Sequence, residues 1–179
     1  MSSRTFRLPD GVGAVSFHAD VLKHMYKFAQ RRFYSSEAGG QLFSPGPHHA
    51  VVNVTHVSGP NSRDFRSRHG VLWNIEQANR DRHVHFSDGR HPVGLWHTHP
   101  EANPLPSGQD ERTTRQFLQG FEGSMAGFLL VIVGNVGQTP NMAVWLAKDA
   151  AHKSWIELEE INEERSTTIE HAHDALPPF

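Results

Sequence analysis

The stretch Gly94-Leu95-Trp96-His97-Thr98-His99-Pro100, continued after six residues by Ser107-Gly108-Gln109-Asp110, decides how this chain is read. Pro92 to Thr98 has the pattern of a strand that runs straight into the two histidines. Side chains two apart in a strand share a face, so His97 and His99 stand about 7 Å apart along the backbone with both rings on one side. Two such imidazoles can converge on one ion, with zinc–nitrogen bonds of about 2.0–2.1 Å. A third ligand must come from outside the strand. Asp110 lies in the first turn of a helix predicted from Ser107 to about Leu118, after a return loop shaped by Pro100, Pro104 and Pro106. Two histidines and one carboxylate leave one tetrahedral position open, which is the donor pattern of a catalytic zinc and not of a closed structural one. Ser107 and Asp110 also fit the N-cap and N3 positions of a capping box. Capping and metal binding are compatible roles.

His-x-His alone carries little weight in this chain. Fourteen of the 179 residues are histidine, so about one such pair is expected by chance. Two others occur, His83-Val84-His85 and His171-Ala172-His173. Neither is followed by a proline-rich loop and a carboxylate at a helix start, and both read as exposed polar sequence. His97 and His99 differ because they end a strand, where functional groups of such sheets concentrate.

Composition narrows the chemistry. There is no cysteine, which removes disulfides, thiolate zinc sites and a cysteine nucleophile together. Any metal must be held by imidazole and carboxylate, and any hydrolysis must use water or a hydroxyl. A formal charge of -2 gives no basic field for general nucleic-acid binding. The longest apolar run, Gly127 to Gly134, is strand-sized and far too short to span a membrane. The first residues lack a secretory apolar core, so a cytoplasmic location is expected.

The rest of the chain predicts one mixed domain. Val12 to Phe17 reads as a strand, and Asp20 can cap a helix from Val21 to about Phe33 with Leu22, Met25, Ala29 and Phe33 inward. Glu37-Ala38-Gly39-Gly40 leads into a short strand, with Ala50 to Val57 as its hairpin partner. Gly59 to His69 reads as a basic loop. A helix is expected from about Gly70 to Arg82, with Leu72, Ile75 and Ala78 inward. Gly127 to Val133 and Asn141 to Ala147 read as strands, and Trp155 to Ile161 as a last helix or strand. Trp96 points away from the histidine face, into the core. The expected architecture is an α/β or α+β domain over residues 1–165, a central mixed sheet flanked by helices, followed by a polar tail at 166–179.

The spacing of these residues resembles the JAB/MPN/JAMM metalloprotease signature. That signature is an upstream Glu, then His-(Ser/Thr)-His-Pro, six residues, Ser, two residues, and Asp. Glu37, His97-Thr98-His99-Pro100, Ser107 and Asp110 match every position, and the resemblance covers about residues 12–147. It implies one Zn2+ held by His97, His99 and Asp110, with Glu37 as the general base and Ser107 stabilising the oxyanion. It also implies a three-layer arrangement like that of cytidine deaminases. The wording around the motif is similar to compact prokaryotic members that accompany ubiquitin-like conjugation and CBASS antiphage operons.

What the resemblance implies is an isopeptidase that releases a ubiquitin-like or similarly conjugated protein from a target amine. The substrate would present an extended C-terminal tail, and activating and conjugating enzymes would be partners. The same residues would serve a peptidase that matures the C-terminus of a ubiquitin-like or sulfur-carrier precursor. A non-catalytic scaffold is the alternative of another class, against which the intact ligand set stands. The basic loop Arg63–Arg68 is either a solvated loop or the insertion that contacts substrate in some members.

Overall fold

The computed structural model describes residues 1–9, 11–119, 127–148 and 155–161. The expected tail at 166–179 and the His171/His173 pair lie outside these residues. The chain opens with β1 (Arg4–Arg7), β2 (Ala14–Phe17) and α1 (Ala19–Lys27), then β3 (Gly39–Ser44), β4 (Val51–Val54) and β5 (His56–Val57). A small hairpin, β6 (Phe65–Ser67) and β7 (Gly70–Leu72), precedes α2 (Ile75–Ser87) and β8 (His91–Thr98). The last elements are α3 (Gly108–Gln119), β9 (Phe128–Val133), β10 (Met142–Ala147) and β11 (Trp155–Glu157).

Six strands form the central mixed sheet in the order β11-β10-β9-β8-β3-β5. Among the described residues only β8 and β9 run parallel in it, and α3 lies between them in the chain. Beside it, β1, β2 and β4 form a three-stranded sheet. The two faces of the central sheet follow from strand alternation. Trp96 packs with Val131, Val133 and Val144 in the core that also holds Val21, Leu22, Met25 and Tyr26 of α1. Leu95, Phe128, Leu130 and Ile132 form the opposite cluster, covered by Trp73, Phe117 and Leu118. Helices thus cover both faces, and the fold is the expected mixed α+β sheet. Trp96 is fully buried among His24 and Phe28, with its indole N–H donating to the Ser58 carbonyl at 2.9 Å. Truncating an aromatic so placed costs about 3–5 kcal/mol.

Several expected elements differ in the structure. The first helix stops at Lys27, and Phe33, expected inward, is 84% exposed with the Arg68 guanidinium over its ring. The apolar period ran past the point where the chain turns. Gly70 to Leu72 is strand and not helix, because it pairs with Phe65 to Ser67 inside the stretch read as loop. The helix begins only at Ile75, where the Asn74 side chain accepts from the Gln77 N–H. Ala78 is buried as expected, whereas Leu72 and Ile75 are exposed. The stretch expected as one hairpin partner of β3 is split: β5 pairs with β3, but β4 lies parallel to β2. The strand β1 was not expected. It is held by Arg4, which donates to both carboxylate oxygens of Glu160 at 2.6 Å and to the Tyr26 hydroxyl at 2.7 Å.

Candidate metal centre

Alternation along β8 puts Leu95 and His97 on the face covered by α3, with Trp96 and Thr98 behind the sheet. His99 follows the strand, its N–H donating to the Val133 carbonyl at 2.9 Å. The two imidazoles meet there, with His97 Nε2 3.0 Å from His99 Nε2. Asp110 reaches them from the first turn of α3, with Oδ1 3.1 Å from His97 Nε2 and Oδ2 3.6 Å from His99 Nε2. Tetrahedral zinc with bonds of about 2.0–2.1 Å sets its ligand atoms roughly 3.3 Å apart, so the two nitrogens and one oxygen fit the ion in number, kind and spacing.

The cap of α3 orients this carboxylate. Ser107 Oγ accepts from the Asp110 N–H at 3.3 Å, and the Ser107 N–H donates to Asp110 Oδ2 at 2.7 Å. The capping box therefore also aims the Asp110 carboxylate at the two histidines. Nearby, His99 Nδ1 has no hydrogen-bond partner and faces the Glu101 carboxylate at 3.6 Å. A carboxylate behind a ligating imidazole is the usual device for fixing its ring and tautomer.

Glu37 enters from the opposite side, on the loop before β3, and its ligand atom lies within 4.8 Å of those of His97 and His99. Gly39 and Gly40, which open β3 just after Glu37, pack against their neighbours so closely because they have no side chains. A Cβ at Gly39 would lie 2.7 Å from the Trp96 carbonyl oxygen, and one at Gly40 would overlap the Ser58 carbonyl. All five residues predicted for the site are brought together. Glu37 and His97 are buried, Asp110 is half-buried, and Ser107 stands exposed at the rim.

Electrostatics separate the two carboxylates. Burial raises the Glu37 carboxyl above its ordinary value, against the lowering influence of His97 and His99. Burial acts the same way on Asp110, but hydrogen bonds from His97 and His99 outweigh it and hold this group well below the usual carboxylate range. His99 is raised: burial opposes its charge, and the hydrogen bond to Asp110 overcomes that. A carboxyl held below its ordinary range suits a ligand, whereas one raised above it suits proton transfer.

A cleft of about 370 Å³ opens on this constellation. The segment His69–Trp73 forms one wall, and α3 contributes Thr114 and Phe117 to the other. Arg66 of the basic loop is not simply solvated. Its Nε donates to the Glu37 carbonyl at 2.6 Å. Trp73 carries no signal in the sequence that would single it out, and Arg66 stood out only as part of the basic loop, with nothing to mark its bond to the Glu37 carbonyl. His83 and His85, the second His-x-His pair, sit on α2, where the His85 ring stacks on Phe43 and not on the site.

Residues 18–148 match the family described as prokaryotic homologs of the JAB domain. The chain belongs to that family. A protein named CD-NTase/cGAS isopeptidase from Escherichia coli (strain TW11681) is 30% identical over 92 residues, covering 50% of this chain and 58% of that protein. A protein of the same name from Vibrio cholerae serotype O1 is 31% identical over 122 residues, covering 64% of this chain and 72% of that one. The solution structure of a Desulfitobacterium hafniense protein superposes with a TM-score of 0.57 at 20% identity, over 79% of this chain and 87% of that one. That likeness is one of fold. No helix among the described residues is long and apolar enough to cross a membrane.

Proposed function

We propose that this protein is a zinc-dependent isopeptidase that hydrolyses the bond between the C-terminus of a conjugated protein and a target amine, in a bacterial antiphage conjugation system. The observation that carries the reading is the convergence of His97 Nε2, His99 Nε2 and Asp110 on one point, with buried Glu37 across from them. The names of the two isopeptidase relatives support the substrate class. Activating and conjugating enzymes of the same system are the partners this role requires, and the cytoplasm is its location.

His97, His99 and Asp110 would hold the zinc, which when bound supplies a Lewis acid and makes water a nucleophile near neutral pH. Glu37 accepts the proton of the attacking water and delivers it to the departing amine nitrogen, serving as base and then as acid. Burial raises this carboxyl above its ordinary value, the direction that favours taking up a proton. Ser107 keeps its oxygen as acceptor for the Asp110 N–H, which leaves its hydroxyl proton free to donate to the developing oxyanion. The cleft between His69–Trp73 and α3 leads an extended tail to the scissile carbonyl, where the edge of the hairpin can add it as a strand.

The test uses zinc-loaded protein and a target conjugated through a lysine. Mass spectrometry should find the tail released with a free carboxylate and the lysine amine restored. Release of a peptide from an unconjugated precursor, with the conjugate left intact, would replace this reading with C-terminal processing.

A further inference from the structure

The segment that carries Glu37 has no helix or ladder of its own before Gly39. Its position is set one backbone group at a time. Ser36 O accepts from Arg66 Nη2 at 3.3 Å, and Glu37 O accepts from Arg66 Nε at 2.6 Å. Glu37 N–H donates to Ser67 O at 2.7 Å. Ala38 is held twice by Thr98, the residue between the two histidines: its N–H donates to Thr98 Oγ1 at 3.0 Å, and its carbonyl accepts from the Thr98 N–H at 2.9 Å.

One side chain joins these contacts. Gln30 follows α1 and is only 1% exposed. Its amide donates to Ser35 O at 3.1 Å and to Arg68 O at 2.8 Å, and its Oε1 accepts from the Thr98 hydroxyl at 3.3 Å. Only one amide orientation satisfies two carbonyls and a hydroxyl together. Gln30 thereby bonds the Glu37 segment, the β6–β7 turn and the histidine strand at a single point. It touches neither the metal position nor the cleft.

We propose that Gln30 is a positioning residue for the general base, a buried staple that works with Arg66 to fix Glu37 against the His97–His99 pair before any substrate arrives. A polar side chain so deeply buried is costly unless every hydrogen bond is made, and here they are made to the groups flanking the base. A misplacement of about 1 Å at a reacting group costs on the order of 100-fold in rate. This inference rests on the proposed hydrolytic role of Glu37.

The experiment compares the zinc-loaded full chain with Gln30→Met, and with the half-buried Arg66→Gln should Gln30→Met fail to fold. Zinc content should stay near one per chain, kcat should fall about 10- to 100-fold, and KM should hold within about twofold. Hydrogen exchange at the Ala38 amide should quicken while β8 and β9 keep their protection. In a Glu37→Gln background the same change should leave the residual rate where it was, because no base remains to be positioned. Wild-type kcat with unaltered Ala38 exchange overturns the proposal. An equal rate loss in the Glu37→Gln background also overturns it, since Gln30 would then support the site at large. If the wild type cleaves no conjugate, the hydrolase reading fails, and Ala38 exchange still decides whether the staple holds this segment.

Discussion

The two halves of the site are built by different means. His97, His99 and Asp110 stand on a strand end and a helix start, where the period of each element aims the side chains. Glu37 stands on a loop whose place is fixed by Gln30 just upstream and by residues far along the chain, namely Arg66, Ser67 and Thr98. Local geometry makes the first half resistant to distant change. The second half inherits its precision from long-range hydrogen bonds and is exposed to their loss. Substitutions in the first half should therefore abolish metal binding, and those in the second should spare the metal and remove rate.

The largest effect is expected from His97→Ala. Zinc should fall from about one per chain to near none, with hydrolysis at background, as read by elemental analysis and by the conjugate assay. A variant that kept its zinc would move the metal off this strand. Next comes Ser107→Ala, which removes an oxyanion donor and a cap at once. The rate should drop about 100-fold, and thermal unfolding should show a loss of about 1 kcal/mol from the helix start. A loss of stability with no loss of rate would leave Ser107 a cap alone.

This pair also shows what the sequence disclosed. Ser107 and Asp110 could be read as cap and as ligand because both uses depend on a spacing of three within one helix turn. His97 and His99 were legible for the same reason, being two apart in a strand. Gln30 and Arg66 were not, since nothing local distinguishes a glutamine that reaches 68 residues away to Thr98. Phe33 misled in the opposite sense. Its spacing continued the period of α1, but the helix ends at Lys27 and the ring turns outward under Arg68. The β6–β7 hairpin was hidden because its strands are only three residues long and its apolar residues Phe65 and Leu72 are exposed, so no buried face marks it.

A smaller effect tests the first half by pH. A protonated imidazole cannot ligate, so zinc affinity should rise with pH and keep rising above 6.5, the ordinary histidine value, because Asp110 raises His99. The metal-free protein should show the reverse. Its His99–Asp110 pair stabilises the fold fully below 6.5 and loses that contribution as pH climbs through the raised folded value. Competition titrations and melts on the two forms check both signs; parallel trends would mean His99 is not a ligand. The smallest effect belongs to Phe33→Ala. It should change stability by less than about 1 kcal/mol, as an exposed cation–π contact allows. A core-sized loss on denaturant melting would restore the longer helix.

The most direct test of the central claim is the cleavage rate of zinc-loaded Glu37→Gln against wild type on one conjugate, with metal content measured on the same samples. Zinc should be equal in both, and the rate should be lower by about 1,000-fold in the variant, within the range that a positioned general base supplies. Equal zinc with an undiminished rate would contradict that claim, for Glu37 would then not be the base around which this site is built.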